Sequence, residues 1–124
     1  MTTPPCVFCS RDRGILAEGR LALAFYDAFP VSKGHALVVP KRHAVTIWDM
    51  NDDEYIDAFE LVRIVKAILA ERHNPDGFNV GVNSGEAAGQ SVWHAHIHVI
   101  PRYKGDVPAP RGGVRSVIPG KGDY

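Results

Sequence analysis

The chain has 124 residues, a length that suits one domain spanning 1–124. It is 45% hydrophobic, and 14 Lys+Arg balance 14 Asp+Glu, so its formal net charge is zero. That balance argues against a nucleic-acid coat, which needs excess positive charge to displace counterions, and against an acidic disordered chain. No apolar run approaches the length needed to cross a bilayer.

The chain opens on "MTTPPCVFCS", a proline-rich turn leading into the pair Cys6 and Cys9. No basic segment precedes a long apolar stretch, so no secretory signal is expected, and a reducing, cytoplasmic setting is the default. "GILAEGRLALAFYD" predicts two short strands joined at Glu18-Gly19. "DAFPVSKG" is a loop marked by Pro30 and Gly34, and "HALVVP" is an apolar strand ending near Pro40. "AVTIWDM" suits a short helical turn. A long helix is predicted from about Asp52 to His73. Asn51 or Asp52 caps it, and Asp52, Asp53 and Glu54 suit its positive end. Its apolar stripe comprises Ile56, Phe59, Leu61, Val62, Val65, Ile68 and Leu69. Asn74-Pro75-Asp76-Gly77 stops it.

"FNVGV" is a further strand, "NSGEAAGQS" a Gly-rich polar loop, and "VWHAHIHVIP" a strand stopped by Pro101. From about residue 102 the chain is rich in proline and glycine, and an irregular tail is expected. Short strands in hairpin-like succession around one long helix predict an α+β fold: a mainly antiparallel sheet with one long and one short helix.

Residues 94–98 read "HAHIH". In a strand, alternate side chains share a face. His94, His96 and His98 therefore face one side, leaving Ala95, Ile97 and Val99 to pack on the helix. Burying three imidazoles without partners is costly, so a cleft is expected. Three explanations stand: chance alternation on a solvated strand, a catalytic metal centre, or covalent catalysis by a neutral imidazole attacking phosphorus. The loop before the strand favours the last. Gly85 and Gly89 let backbone N–H groups approach an anion, and Gln90 and Ser91 add side-chain donors.

"HAHIHVI" resembles the pattern of the histidine-triad (HIT) family, His-φ-His-φ-His-φ-φ with φ apolar. The resemblance extends through "FYDAFPVSKGHALVVPKRH", "GVNSGEAAGQSVWHAHIH" and "PRYKGD". It implies a five-stranded HIT-like α+β fold that dimerises by joining two sheets. It also implies a nucleotide hydrolase or transferase cleaving at the α-phosphate. On that resemblance His96 is the nucleophile, His98 binds phosphate oxygens and His35 completes the hydrogen-bond set behind them. Gln90, Ser91 and the Gly89 loop contact the phosphates or leaving group, Asp27 holds the ribose hydroxyls, and Asn83 touches the nucleotide. Phe8 and Phe25 line the base pocket. Plainer roles remain open: Asp27 and Asn83 as turn residues, His35 as a core histidine, and both phenylalanines as core.

Cys6-x-x-Cys9 has a spacing that suits zinc, two buried thiols or a redox dithiol. One subgroup of the family completes a Cys2His2 shell with a histidine after the third strand and the first triad histidine. Here those are His43 and His94. Such a closed shell implies a structural zinc, with no catalytic metal required. His73 is expected at the surface, at the helix end.

The family divides between phosphoramidases and dinucleoside polyphosphate hydrolases. The phosphoramidases carry a Trp-containing, glycine-rich C-terminal segment, which differs from "PRYKGD" and "PRGGVRSVIPGKGDY" here. Arg102, Lys104, Arg111 and Arg115 could meet a polyphosphate chain. The resulting expectation is a homodimeric dinucleoside polyphosphate hydrolase acting on a purine nucleotide. The alternatives are a phosphoramidase or a nucleotide-binding module with vestigial turnover. Neither nucleic acid nor membrane is expected as a partner.

Overall fold

The computed structural model describes residues 6–9 and 14–123, so the expected turn at Pro4-Pro5 lies outside the described residues. Five strands form one sheet: β1 (Ala17–Glu18), β2 (Ala22–Tyr26), β3 (Ala36–Pro40), β4 (Gly77–Val82) and β5 (Ile97–Arg102). Their order is β1-β2-β3-β5-β4, and all neighbours are antiparallel. One long helix, α1 (Asp52–His73), covers one face.

The strand period decides what each face holds. Ala22, Ala24, Ala36, Val38, Ile97 and Val99 point to α1 and meet its buried residues Ala58, Leu61, Val65 and Leu69. Spacings of three and four put those four on one helical stripe. Fully burying a leucine or valine of this set contributes roughly 1.5–3 kcal/mol. The predicted stripe was broader than the real one. Ile56 is 61% and Phe59 37% exposed, because only one row of α1 meets the sheet. On the opposite face, Leu23, Phe25, Leu37 and Val39 form a second cluster with Phe8. His98 pairs with Leu37 across β5 and β3 and so stands on this second face.

The helix boundaries follow from its caps. Asn51 Oδ1 accepts from the Glu54 amide and Glu54 Oε1 accepts from the Asn51 amide, each at 2.9 Å. Asn74, at φ 49°, ends the helix in the left-handed region, and Pro75 follows. Gly77 already opens β4 rather than serving as a stop. The expected short helix is a 3₁₀ turn at Ile47–Asp49, and the irregular tail holds another at Gly113–Val117.

β5 differs from the prediction at both ends. The ladder begins at Ile97, not Val92, and runs through Pro101 to Arg102. Pro101 is tolerated because its carbonyl, and hence its missing N–H, faces the β3 side of the strand. There β3 has ended and the Ser32 hydroxyl donates to the Pro101 carbonyl at 2.7 Å. Upstream, Ala95 N donates to Ala44 O at 2.7 Å, holding residues 94–96 beside the sheet without a ladder. His94 and His96 are therefore placed by individual hydrogen bonds rather than by strand pairing.

Candidate active site and metal centre

A cavity of about 480 Å³ opens on the face away from α1. Of the residues singled out in the sequence, Phe8, Asp27, Asn83, Gly89, Ser91, His96 and His98 line it. His35 does not. It is buried behind His98, with its Nε2 2.9 Å from His98 Nδ1.

The protons on these rings follow from backbone partners. The Val31 amide donates to His35 Nδ1 at 3.1 Å, so neutral His35 carries its proton on Nε2. That Nε2–H donates to His98 Nδ1, which leaves the His98 proton on Nε2, turned away from His35. His96 Nδ1 donates to the His94 carbonyl at 2.8 Å, so its Nε2 keeps a free lone pair. His94 Nε2 donates to the Pro40 carbonyl at 2.8 Å, so its Nδ1 lone pair faces the cysteines. Adjacent rings thus hold opposite tautomers: His96 presents a lone pair at Nε2 and His98 a donor.

Electrostatics keep the donors neutral. Burial pushes the His98 pKa from 6.5 to about 4, with smaller contributions from His96 and His35. Burial also lowers His35, partly opposed by the Asp27 carboxylate. Asp27 Oδ1 accepts from the Phe29 amide at 2.9 Å, and Oδ2 lies 3.6 Å from His35 Nε2. Asp27, His35 and His98 lie close enough to hold a metal together. The Val31 amide, however, keeps a proton on the His35 nitrogen that a metal would need, so His35 and His98 read as a hydrogen-bonded pair with the Asp27 carboxylate close by.

Two assignments change. Gln90 is 4% exposed and turned inward. Its Oε1 accepts from Gly85 N at 2.8 Å, and its Nε2 donates to Val45 O at 2.6 Å and Val92 O at 3.0 Å. Both amide hydrogens are used, so Gln90 holds the loop that presents Gly89 and Ser91 and has no donor left for a ligand. Phe25 is 1% exposed and lies under Phe8, with ring centroids 5.5 Å apart, so it supports the pocket wall from the core. The sequence reading missed two groups. Phe29 lines the cavity at 87% exposure, and a bare aromatic two residues after Asp27 was its only signal. Val31 acts through its backbone and left no signal.

None of Arg102, Lys104, Arg111 and Arg115 lines the cavity. Arg102 donates to both Asp106 carboxylate oxygens at 2.7 and 2.9 Å and to Asn79 Oδ1 at 2.6 Å. Arg111 sits 3.7 Å from Asp123. His73 is also not a plain surface residue. Its Nε2 is 3.0 Å from the Tyr26 hydroxyl, and its ring packs against Gly34, where φ is 91°.

Beside the cavity, Cys6, Cys9, His43 and His94 bring ligand atoms within 4.8 Å of one another. Cys6 Sγ and Cys9 Sγ lie 3.3 and 3.4 Å from His94 Nδ1, and Cys9 Sγ lies 3.3 Å from His43 Nδ1. Tetrahedral zinc bonded to sulfur and nitrogen has ligand–ligand edges of about 3.3–3.8 Å, so the donor set fits. The Cys9 thiol is raised above its ordinary pKa by desolvation and then by Cys6, so metal binding there would displace its proton.

The family model described as the HIT domain matches residues 11–105. The chain belongs to the HIT family. Among HIT relatives, the adenosine 5'-monophosphoramidase of Schizosaccharomyces pombe is 43% identical over 103 residues, covering 78% of this chain and 74% of that protein. An adenylylsulfatase of Arabidopsis thaliana is 36% identical over 106 residues, 82% of this chain and 54% of the relative. The asymmetrical bis(5'-nucleosyl)-tetraphosphatase of S. pombe is 37% identical over 87 residues, 70% of this chain and 48% of its own length. A HIT family protein from Bacillus anthracis superposes with a TM-score of 0.78 at 36% identity, over 85% of this chain and 78% of that one. A Zn-bound histidine triad family protein from Mycobacterium smegmatis does so at 0.75 and 34%, over 84% and 79%.

Proposed function

We propose that this HIT protein hydrolyses purine nucleoside 5'-phosphoramidates through a nucleotidyl-His96 intermediate. One observation carries the proposal: the bond from His96 Nδ1 to the His94 carbonyl places the neutral ring's lone pair on Nε2, and His96 lines the cavity beside the donor His98. In the first half-reaction the His96 Nε2 lone pair forms a bond to phosphorus and the P–N bond breaks. The leaving nitrogen takes one proton from solvent and departs as an amine, and the proton released in the second half-reaction restores the balance. In the second, water adds to phosphorus, the His96–P bond breaks, and a nucleoside monophosphate and a proton are released. His98 Nε2–H donates to a phosphate oxygen throughout, the Asp27 carboxylate accepts from the ribose hydroxyls, and Phe8 and Phe29 wall the base.

The leaving-group class rests on charge. Among the described residues, no lysine or arginine lines the cavity, and its carboxylate is Asp27. An amine leaving group adds no negative charge there, whereas a polyphosphate adds several. The dinucleoside polyphosphate reading stays as the second, favoured by the likeness to the tetraphosphatase. The Cys6, Cys9, His43 and His94 set would hold a zinc ion, which would supply a cross-link between the N-terminal turn and the sheet. Among the described residues β4 is an edge strand, which would accept a second copy, and sedimentation of the purified protein measures that. No described helix is long and apolar enough to cross a membrane, and a cytoplasmic setting completes the proposal.

The test pairs adenosine 5'-phosphoramidate with diadenosine tetraphosphate, each with wild type and His96→Asn. Faster turnover of the phosphoramidate, lost in the variant, is the expected result. Preference for the tetraphosphate would transfer the protein to the second reading, and activity surviving in His96→Asn would overturn the covalent mechanism.

A further inference from the structure

The residues between the two metal-binding cysteines form part of the catalytic cavity. Cys9 N donates to Cys6 O at 3.1 Å, closing a tight turn with Val7 and Phe8 at its crest. Both crest residues line the cavity. The Phe8 ring stands edge-on to the nucleophile, with centroids 5.1 Å apart at 73°. It lies 5.5 Å from Phe25 and 6.2 Å from His94. The turn belongs to no strand or helix. Its Sγ atoms face His94 and His43, and His94 is rooted in the sheet at 0% exposure through the Pro40 carbonyl. Whatever fixes the two sulfurs also fixes the wall over His96.

We infer that metal held by Cys6, Cys9, His43 and His94 locks Phe8 in place as a wall of the catalytic cavity, so that metal occupancy sets the affinity for a nucleoside monophosphate. The inference rests on the nucleotide reading above and adds a coupling between two neighbouring sites. Without the cross-link, the Cys6–Cys9 turn samples positions away from the cavity. Apparent affinity then falls by the fraction of time the wall is in place, so a wall present one-tenth of the time weakens binding about tenfold. A second route is available through His94, whose carbonyl orients His96. The two routes separate at Phe8, because only the first needs its ring.

The test is calorimetric titration of adenosine monophosphate into the full chain, zinc-loaded and chelated, in wild type and Phe8→Ala. Chelation should weaken binding about tenfold in wild type and less than about twofold in Phe8→Ala. Equal losses in both proteins, no loss in wild type, or failure of the chain to bind zinc would each overturn the lock. Chymotrypsin cleavage after Phe8, followed without nucleotide, gives an independent readout: chelation should accelerate it, and an unchanged rate would overturn the lock. If zinc-loaded wild type binds no adenosine monophosphate, the nucleotide reading fails, while proteolysis still reports on the turn. Circular dichroism of the chelated protein at the titration temperature confirms that the sheet persists.

Discussion

His35 Nε2 stands 2.9 Å from His98 Nδ1, and the Val31 amide determines which way that bond points. Reversing it would put two N–H groups against each other at His35 Nδ1. One backbone amide therefore assigns the protonation of two side chains and leaves His98 Nε2–H as the donor proposed above for the phosphate. His98→Ala removes that donor. Loss of one preorganised donor typically lowers kcat by about 10²–10³. Steady-state kinetics on the phosphoramidate should show this loss in kcat, with folding intact by circular dichroism.

The depressed His98 pKa has a definite sign. Unfolded, His98 takes up a proton below about 6.5. Folded, it does so only near 4. Above 6.5 the ring is neutral in both states and contributes no pH dependence. As pH falls from 6.5 toward 4 the unfolded state binds more protons, so stability declines across that window. NMR of the His98 ring should show titration near pH 4, and His98→Gln should flatten the fall in melting temperature between pH 6.5 and 4.5.

Gln90 should be needed for stability before chemistry. Replacement by Ala removes the bonds to the Gly85 amide and to the Val45 and Val92 carbonyls in a half-buried site, at about 0.5–1.5 kcal/mol for each. Gln90→Glu should be worse, because its carboxylate would face the Val45 and Val92 carbonyls. Urea denaturation of the three proteins should rank them wild type, Ala, then Glu.

Gly34→Ala should destabilise by at least about 1 kcal/mol. Its φ of 91° is a strained conformation for alanine, and the added Cβ would stand 2.7 Å from His73 Cδ2. Combining it with His73→Ala should recover the steric part only. Full recovery in the double variant would show that backbone strain plays no part.

Chelation should lower the melting temperature by roughly 5 °C or more, because ligand binding to the folded chain is folding free energy. Differential scanning calorimetry with and without zinc measures it.

The elements visible in the sequence were those determined by local chemistry. Asn51 and Glu54 satisfy each other's amides and Asn74 adopts a left-handed turn, so α1 could be expected from about Asp52 to His73, with its cap at Asn51 or Asp52, and the cap is Asn51. β5 could not. Alternation runs unbroken from His94 to Val99, yet a ladder needs a partner, and only from Ile97 on do β3 and β4 supply one. Gln90 and Ser91 look equivalent as neighbours in a polar loop, but one turns inward and the other lines the cavity. Arg102 looked available until Asp106, four residues on, and Asn79 proved to bind it. His96 and His98 were legible by type, but their tautomers depend on His94 and Val31 backbone groups that side-chain identity does not encode.

The lack of a lysine or arginine among the described residues lining the cavity bears on how the protein could be inhibited. A heavily charged nucleotide mimic would shed its hydration on entry and, among the described residues, meet the Asp27 carboxylate and no lysine or arginine. A compact nucleoside phosphonamidate with low charge suits the same walls better. Placed on the His98 donor, such a warhead would present phosphorus to the His96 Nε2 lone pair, and selectivity would come from tautomer order rather than from charge matching.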